Sequence, residues 1–366
     1  MNNKINLGLI FGGRSGEHAV SLMSVRSVLS VLDPDKYEVY QIGITQDGVW
    51  LYGPEALTSF ETGKTESLCN AMLLNQAGQV NLYCQQGNHL QFISGIDVIF
   101  PVLHGTFGED GTLQGLLEIT GCAYVGAGVL ASAVGMDKAV CKHVVQNAGV
   151  PVLEYAVFNR SEIRADLESI VEASEKVAPY PLFIKPANLG SSVGISKANN
   201  REELTAALLK AAKFDRRILV ERGIEAREIE ISVLGNDHPI VSLPGEVIPD
   251  DIFYTYQDKY FNGEPELIIP APLSDKQTRM VQEFALKAYQ AIDGAGMARV
   301  DFLLDKHTDA LYFSEVNTLP GFTKISMYPK LWKATGLEYS DLVNQLIQLA
   351  LDRKAEQDQT IRKFED

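Results

Sequence analysis

Residues 313–321 read FSEVNTLPG, and in them Glu315 and Asn317 stand two apart just ahead of a turn. Alternate strand side chains share a face, so this spacing puts Phe313, Glu315 and Asn317 on one side and Val316 on the other. The preceding stretch, ARVDFLLDKHTDALYF at 298–313, repeats the spacing with Arg299 and Asp301. Its polar DKHTDA segment reads as a hairpin loop. Pairing Asp301 with Glu315 then sets Arg299 opposite Asn317, and directly opposed residues share a face. On a solvated face such groups make an ordinary ion pair of little worth. The flanking Val300, Phe302, Leu303, Leu304 and Val316 instead indicate buried strands, where an unpaired carboxylate is costly. An all-oxygen set of Asp301, Glu315 and Asn317 suits a hard cation such as Mg²⁺, which leaves Arg299 to hold an anion.

A second cluster has phosphate chemistry. In FIKPANLGSSVGISKA, 183–198, a strand delivers Lys185 to a loop with Gly190, Ser191, Ser192 and Gly194. Glycines let backbone N–H groups approach an anion, and hydroxyls with a lysine complete the cradle. A flexible hairpin explains a Gly-Ser loop equally well, but a lysine on an apolar strand needs a partner. LHGTFGEDGTLQG, 103–115, gathers His104, Glu109 and Asp110 among four glycines and reads alone as a solvated turn before a helix. Glu17 starts a helix, either as a favourable charge on its dipole or as a carboxylate awaiting a cation. Two nucleotide fingerprints fail. A G-x-G-x-x-G ending at Gly16 meets Phe11 where its first glycine belongs, and a P-loop ending in Gly63-Lys64-Thr65 meets Thr58.

The elements that must position these groups follow from periodicity. The sequence predicts strands at 4–11, 37–45 and 97–103 around a helix at 18–32, an open parallel α/β sheet with a hairpin insertion at 48–95. Strands at 151–158, 181–187 and 217–222 alternate with helices at 161–176 and 201–213 in a second α/β unit. Strands 227–234 and 238–247, an aromatic loop at 249–263 and a helix at 275–292, capped by Ser274 and Gln277, lead into the hairpin. A last helix is expected at 339–352, followed by a charged, fraying tail. The 366 residues suffice for two or three domains. A net charge of −15, from 47 acidic and 32 basic residues, disfavours nucleic acid or an anionic membrane as main partner. The four cysteines show no metal spacing and no disulfide framework. The apolar run Leu7 to Phe11 is too short for a signal peptide or a membrane span, so a cytoplasmic chain is expected.

Four segments, in order, resemble the D-alanine–D-alanine ligase family of ATP-grasp enzymes: GGRSGEHAVS at 12–21, HGTFGEDGTLQG at 104–115, KPANLGSSVG at 185–194, and RVDFLL with SEVNTLPGFTKISMYP between 299 and 329. The resemblance runs from residue 4 to about 352. It implies α/β and α+β architecture in three domains: 1–126, with a parallel sheet; 127–220, the central ATP-grasp domain; and 221–366, with the lid loop 249–263 and a frayed tail. ATP would lie between two antiparallel sheets. By the same resemblance Lys138 and Lys185 contact phosphates, with Ser192 in the loop. Glu221, Arg222 and Ile224 surround the adenine, and Glu228 holds the ribose. Asp301, Glu315 and Asn317 bind two Mg²⁺ or Mn²⁺ ions. Arg299 and the Gly321 N–H form the oxyanion site. Glu17, in a triad with Ser191 and Tyr260, holds the first D-alanine. His104, Lys259, Ser326 and Met327 complete the D-alanine sites. The implied reaction joins two D-alanines through D-alanyl phosphate, for peptidoglycan precursors, in a homodimer. Arg222 and Phe313 depart from the residues usual in relatives. The rival readings are a ligase making D-alanyl-D-lactate or D-alanyl-D-serine, and a non-catalytic nucleotide-binding regulator. The broken glycine fingerprint disfavours a dehydrogenase.

Overall fold

The computed structural model describes residues 4–76, 78–190, 193–248 and 266–361. The first sheet holds β1 (Ile5–Gly12), β2 (Tyr37–Ile44), β3 (Trp50–Tyr52), β4 (Cys69–Gln76), β5 (Gln79–Gln86), β6 (His89–Ile96), β7 (Val98–Val102) and β8 (Ala123–Tyr124), in the order β6-β5-β4-β3-β2-β1-β7-β8. Strands β2, β1, β7 and β8 run parallel, with α1 (His18–Leu29) in the first crossover. The stretch 48–95 is not a separate insertion. It extends the same sheet as an antiparallel meander, interrupted by α2 (Ala56–Thr62). The sheet is therefore mixed rather than parallel. Short turns at Asp47-Gly48 and Gly87-Asn88 permit only antiparallel neighbours, whereas a parallel pair needs a long crossover. The meander also sets Cys69 beside Cys84, with Cα atoms 5.7 Å apart, a pairing that spacing alone did not indicate.

Helices α3 (Thr112–Thr120), α4 (Val129–Met136) and α5 (Lys138–Asn147) lead to a four-stranded antiparallel sheet. That sheet contains β9 (Tyr155–Asn159), β10 (Leu182–Pro186), β11 (Ser196–Ala198) and β12 (Arg217–Arg222) in the order β11-β10-β12-β9. The helix expected over 161–176 is two, α6 (Arg160–Ala165) and α7 (Leu167–Glu175). Asp166 separates them because its carboxylate caps the second by accepting from the Ser169 N–H. With α8 (Arg201–Phe214) they cover one face of the sheet, packing on Leu182, Ile184, Ile218 and Val220.

The third sheet is antiparallel: β13 (Ala226–Leu234), β14 (Ile240–Val241), β15 (Gly245–Ile248), β16 (Glu266–Ile268), β17 (Met297–Asp305) and β18 (Leu311–Asn317). The long helix α9 (Asp275–Ala291) begins with the expected Ser274–Gln277 capping box. The hairpin register pairs Arg299 with Asn317 and Asp301 with Glu315, as the spacing predicted. Between Asp301 and Phe302 the register shifts, so Phe302 faces Phe313 and Ser314 is the extra residue. This bulge corrects one expectation: Phe313 does not share the face of Glu315. It is fully buried with Phe302, Val300 and Val316.

Helices α10 (Met327–Thr335) and α11 (Tyr339–Gln357) close the chain. They pack back on the first sheet, so Leu7, Leu9, Phe11 and Phe100 share one core with Phe322, Tyr328, Trp332 and Leu346. The tail expected to fray after 352 is helical to Gln357. Arg353 anchors it by donating to the carbonyls of Gly126 and Tyr124, at 2.5 and 3.0 Å, and lies over the Tyr124 ring. Among the described residues no helix is long and apolar enough to cross a membrane.

Candidate active site

A cavity of about 600 Å³ opens where the three sheets meet, within the size range of small-ligand sites. Its lining includes Glu17, His104, Lys138, Glu228, Arg299, Glu315, Asn317, Gly321, Ser326 and Met327. Ten side chains or backbone groups singled out in the sequence, spread over 310 positions, thus face one space (327 − 17 = 310). Ser191, Ser192, Lys259, Tyr260 and the loop 249–263 lie outside the described residues.

Glu17 sits at the N-terminal end of α1, where the chain leaves β1. The loops after β7 and β10 both crowd it. Gly105 has a φ of +73°, which favours glycine, and a Cβ there would stand 2.3 Å from Glu17 Oε2 and displace that carboxylate. A Cβ on Gly190 would come within 3.6 Å of the same carboxylate. His104 is buried, with Nδ1 3.2 Å from the Leu319 carbonyl and Nε2 3.2 Å from Ser24 Oγ. Burial lowers its pKa, more strongly than Glu17 raises it. The neutral ring that donates from Nδ1 to Leu319 and accepts from Ser24 satisfies both contacts. Beside it lies a carboxylate that the motif did not single out as a site residue. Glu109 accepts from the Gly105 N–H at 2.7 Å. Burial, and then the charge of Glu17, push its pKa up to about 8.

The hairpin supplies the opposite wall. Arg299 forks onto Asp301 at 2.7 and 2.6 Å and lies 3.0 Å from Glu230, the residue opposite Asp301 on β13. Burial opposes the guanidinium's charge, but Asp301 and Glu230 hold its pKa well above the ordinary arginine value. Glu230 also lines the cavity; alternation in REIEIS, with Glu228 and Glu230 on one face, is the signal that identifies it. Asn317 donates to Asp301 at 3.1 Å, and Glu315 pairs with Lys138 at 3.1 Å. Asp301 is not among the described residues that line the cavity, but it accepts hydrogen bonds from Arg299 and Asn317, which are. Among the described residues no group of three His, Cys, Asp or Glu is arranged around a metal position. The donor set nevertheless fits a hard cation. Glu315 and Asn317 face the cavity with Asp301 bonded beside them, and these oxygen donors would suit a hard cation, while Arg299 and Lys138 balance the carboxylates. Ser326 caps α10 in position only; its hydroxyl instead meets the Thr323 N–H at 3.1 Å and the Thr323 hydroxyl at 2.8 Å. Met327 packs with Val247 and Leu331.

The nucleotide candidates on the central sheet form a separate, buried group. Lys185 Nζ donates to Glu221 Oε2 at 2.6 Å, and Lys142 Nζ stands 2.5 Å from Glu221 Oε1. Lys142 was not anticipated, although one helical turn separates it from Lys138 on α5 and both residues face inward. Arg222 turns outward to Glu154 at 3.2 Å, and Ile224 lies in the link from β12 to β13. Neither Lys185 nor Glu221, Arg222 or Ile224 is among the described residues lining the cavity.

Models of the D-ala D-ala ligase N-terminus and C-terminus match residues 6–127 and 144–348. The chain belongs to the D-alanine–D-alanine ligase family. It is 50% identical over 350 residues to the D-alanine–D-alanine ligase of Thermoanaerobacter sp. strain X514, covering 95% of this chain and 97% of that one. It is 46% identical over 364 residues to that of Natranaerobius thermophilus, with 99% of each chain covered. The fold is similar to that of the D-alanine-D-alanine ligase from Coxiella burnetii, at 33% identity and a TM-score of 0.81, covering 97% of this chain and 96% of that one. It is also similar to the VanG D-Ala:D-Ser ligase from Enterococcus faecalis, at 34% identity and a TM-score of 0.83, covering 95% and 100%. Those likenesses extend along nearly the whole chain, so the mixed sheet and the two antiparallel sheets form the ATP-grasp architecture of the family.

Proposed function

We propose that the chain is an ATP-dependent ligase that joins two D-alanines into D-alanyl-D-alanine, through D-alanyl phosphate, for peptidoglycan precursor synthesis. The observation that carries this reading is the single cavity where Glu17, His104, Lys138, Arg299, Glu315, Asn317, Gly321 and Ser326 meet. A carboxylate is a poor electrophile, and phosphorylation gives it a good leaving group. Two Mg²⁺ or Mn²⁺ ions on Asp301, Glu315 and Asn317 would neutralise charge on the transferring phosphoryl group. Lys138 and Lys185 add cationic contacts to the phosphates. Glu221, Arg222 and Ile224 take the adenine, Ser192 the phosphates and Glu228 the ribose. Glu17 holds the ammonium of the first D-alanine, with Ser191 and Tyr260 as its partners. The neutral His104, Lys259, Ser326 and Met327 border the D-alanine sites. The neutral amine of the second D-alanine attacks the acyl carbon, phosphate departs, and Arg299 with the Gly321 N–H stabilises the oxyanion. The division at 1–126, 127–220 and 221–366, a cytoplasmic homodimer and the loop 249–263 as a lid belong to the same reading.

The likeness to a D-Ala:D-Ser ligase supports one rival. Purified protein given ATP, Mg²⁺ and D-alanine, alone or with D-serine or D-lactate, separates them by product mass. D-Alanyl-D-alanine is expected to dominate in every mixture. A dominant D-alanyl-D-serine or ester product would favour the sister activity, and absence of ADP release would favour a regulator.

A further inference from the structure

Helix α5 carries two lysines on one face, and only Lys138 borders the cavity. Lys142 is 1% exposed, one turn further from the mouth. Its ammonium meets the equally buried Glu221 at 2.5 Å and donates to the Phe313 carbonyl at 3.2 Å. It therefore ties α5 to the central sheet and to β18 of the third sheet. Glu221 is held from two sides: Lys142 lies against Oε1 and Lys185 against Oε2. The two cations differ. Lys185 is 14% exposed, and its strand runs into the glycine loop. Lys142 is sealed between Glu221 and the third sheet. Burial on its own would push the pKa of Glu221 up, but Lys142, and then Lys185, bring it down to about 2. Each carboxylate oxygen faces one ammonium and has a further lone pair with which to accept a donor from a ligand.

We propose that Lys142 is a positioning residue, the permanent counter-cation of Glu221, and that it frees Lys185 to leave that carboxylate for a nucleotide phosphate while Glu221 receives an N–H donor of the base. The inference rests on the proposed adenine role of Glu221. In the structure Lys185 donates one N–H to Glu221 at 2.6 Å, and a move toward a phosphate would weaken that contact. Were Lys185 the only cation, its departure would strand a fully buried charge, which is strongly unfavourable. Lys142 removes that penalty because it stays. Its second contact, to the Phe313 carbonyl, ties the ammonium to β18, so it stays when Lys185 moves outward.

The test uses the whole chain and measures ADP and ATP-analogue affinity by calorimetry alongside steady-state constants. Lys142→Met keeps the length and removes the charge. We expect the dissociation constant for ADP to rise about tenfold or more and KM for ATP to follow, with KM for D-alanine unchanged. Lys142→Arg should restore nucleotide affinity to within about threefold of the native chain. Adding Lys142→Met to Glu221→Gln should cost less than about twofold beyond Glu221→Gln alone, because the lysine acts through that carboxylate. If Lys142→Met alone does not fold, the double variant against Glu221→Gln gives the same reading, since neither charge is then stranded. Native-like ADP affinity in folded Lys142→Met, or additive losses in the double variant, would overturn the proposal. If Glu221→Gln itself binds ADP normally, the adenine assignment fails first, and the proposal falls with it.

Discussion

Glu315 shows how much one charge controls at this site. It faces Asp301 across the hairpin and is paired with Lys138, a lysine whose pKa rises because Glu315, followed by Glu109, outweighs the effect of burial. Glu315→Gln keeps the shape and removes a formal charge where divalent cations should concentrate. Turnover is expected to fall at least about a hundredfold while circular dichroism and melting stay close to native. Near-normal turnover at ordinary magnesium would show that the carboxylate is not a metal ligand. Glu109 offers a different readout. Its pKa is near 8 in the fold, against 4.5 as the ordinary value. Between those values the folded state holds more protons than the unfolded chain, so this group makes stability fall as pH rises through that window and contributes nothing below it. Glu109→Gln can still accept from the Gly105 N–H. Its melting temperature should therefore decline less than that of the native chain between about pH 5 and pH 8. Parallel curves would assign the slope to another group.

At the scale of elements, α5 is the part on which the site most depends. Asp137 is its N-cap, accepting from the Ala139 and Val140 N–H groups at 3.1 and 3.0 Å, and it pairs with Arg217 on β12. The cap fixes where the helix starts and so the direction in which Lys138 leaves it. The inward stripe Lys138, Cys141, Lys142 and Val145 then follows at helical spacing. Asp137→Ala should cost about 1–2 kcal/mol in urea unfolding, and it should also raise KM for ATP because the first turn carries Lys138. A stability loss with unchanged nucleotide affinity would show that the helix start is held by packing instead. The bulge at Ser314 has a comparable role in β18. It lets Phe313 enter the core while Glu315 and Asn317 stay toward the cavity, two demands that strict alternation could not meet together.

At the scale of the molecule, the ends of the chain form one core. Tyr328, Trp332, Leu342 and Leu346, from α10 and α11, cover Leu7, Leu9 and Phe11 of β1. The cavity floor is built on that contact, since Gly321, Ser326 and Met327 lie just ahead of and at the start of α10. A fragment of residues 1–126 would expose the apolar face of β1. It is expected to show no cooperative thermal transition, whereas the whole chain is expected to show one that includes its N-terminal sheet. A sharp fragment transition near that of the whole chain would mean that the first sheet is self-sufficient.

The hairpin register, the α9 capping box and the identity of the charged groups were legible in the sequence because each depends on spacing within a few residues. Arg299, Asp301, Glu315 and Asn317 alternate on two strands joined by a short loop, and local geometry leaves them one shared face. The sharing of Glu221 between Lys142 and Lys185 was not legible, because it joins α5, β10 and β12 across 80 positions (221 − 142 = 79, plus the residue itself). Nor was the pairing of Cys69 with Cys84, which depends on the meander joining the first sheet. A sequence records which groups are costly to bury unpaired. Which partner meets each one is decided by long-range packing, where the desolvation penalty of a charge is offset only by the element that folding brings against it.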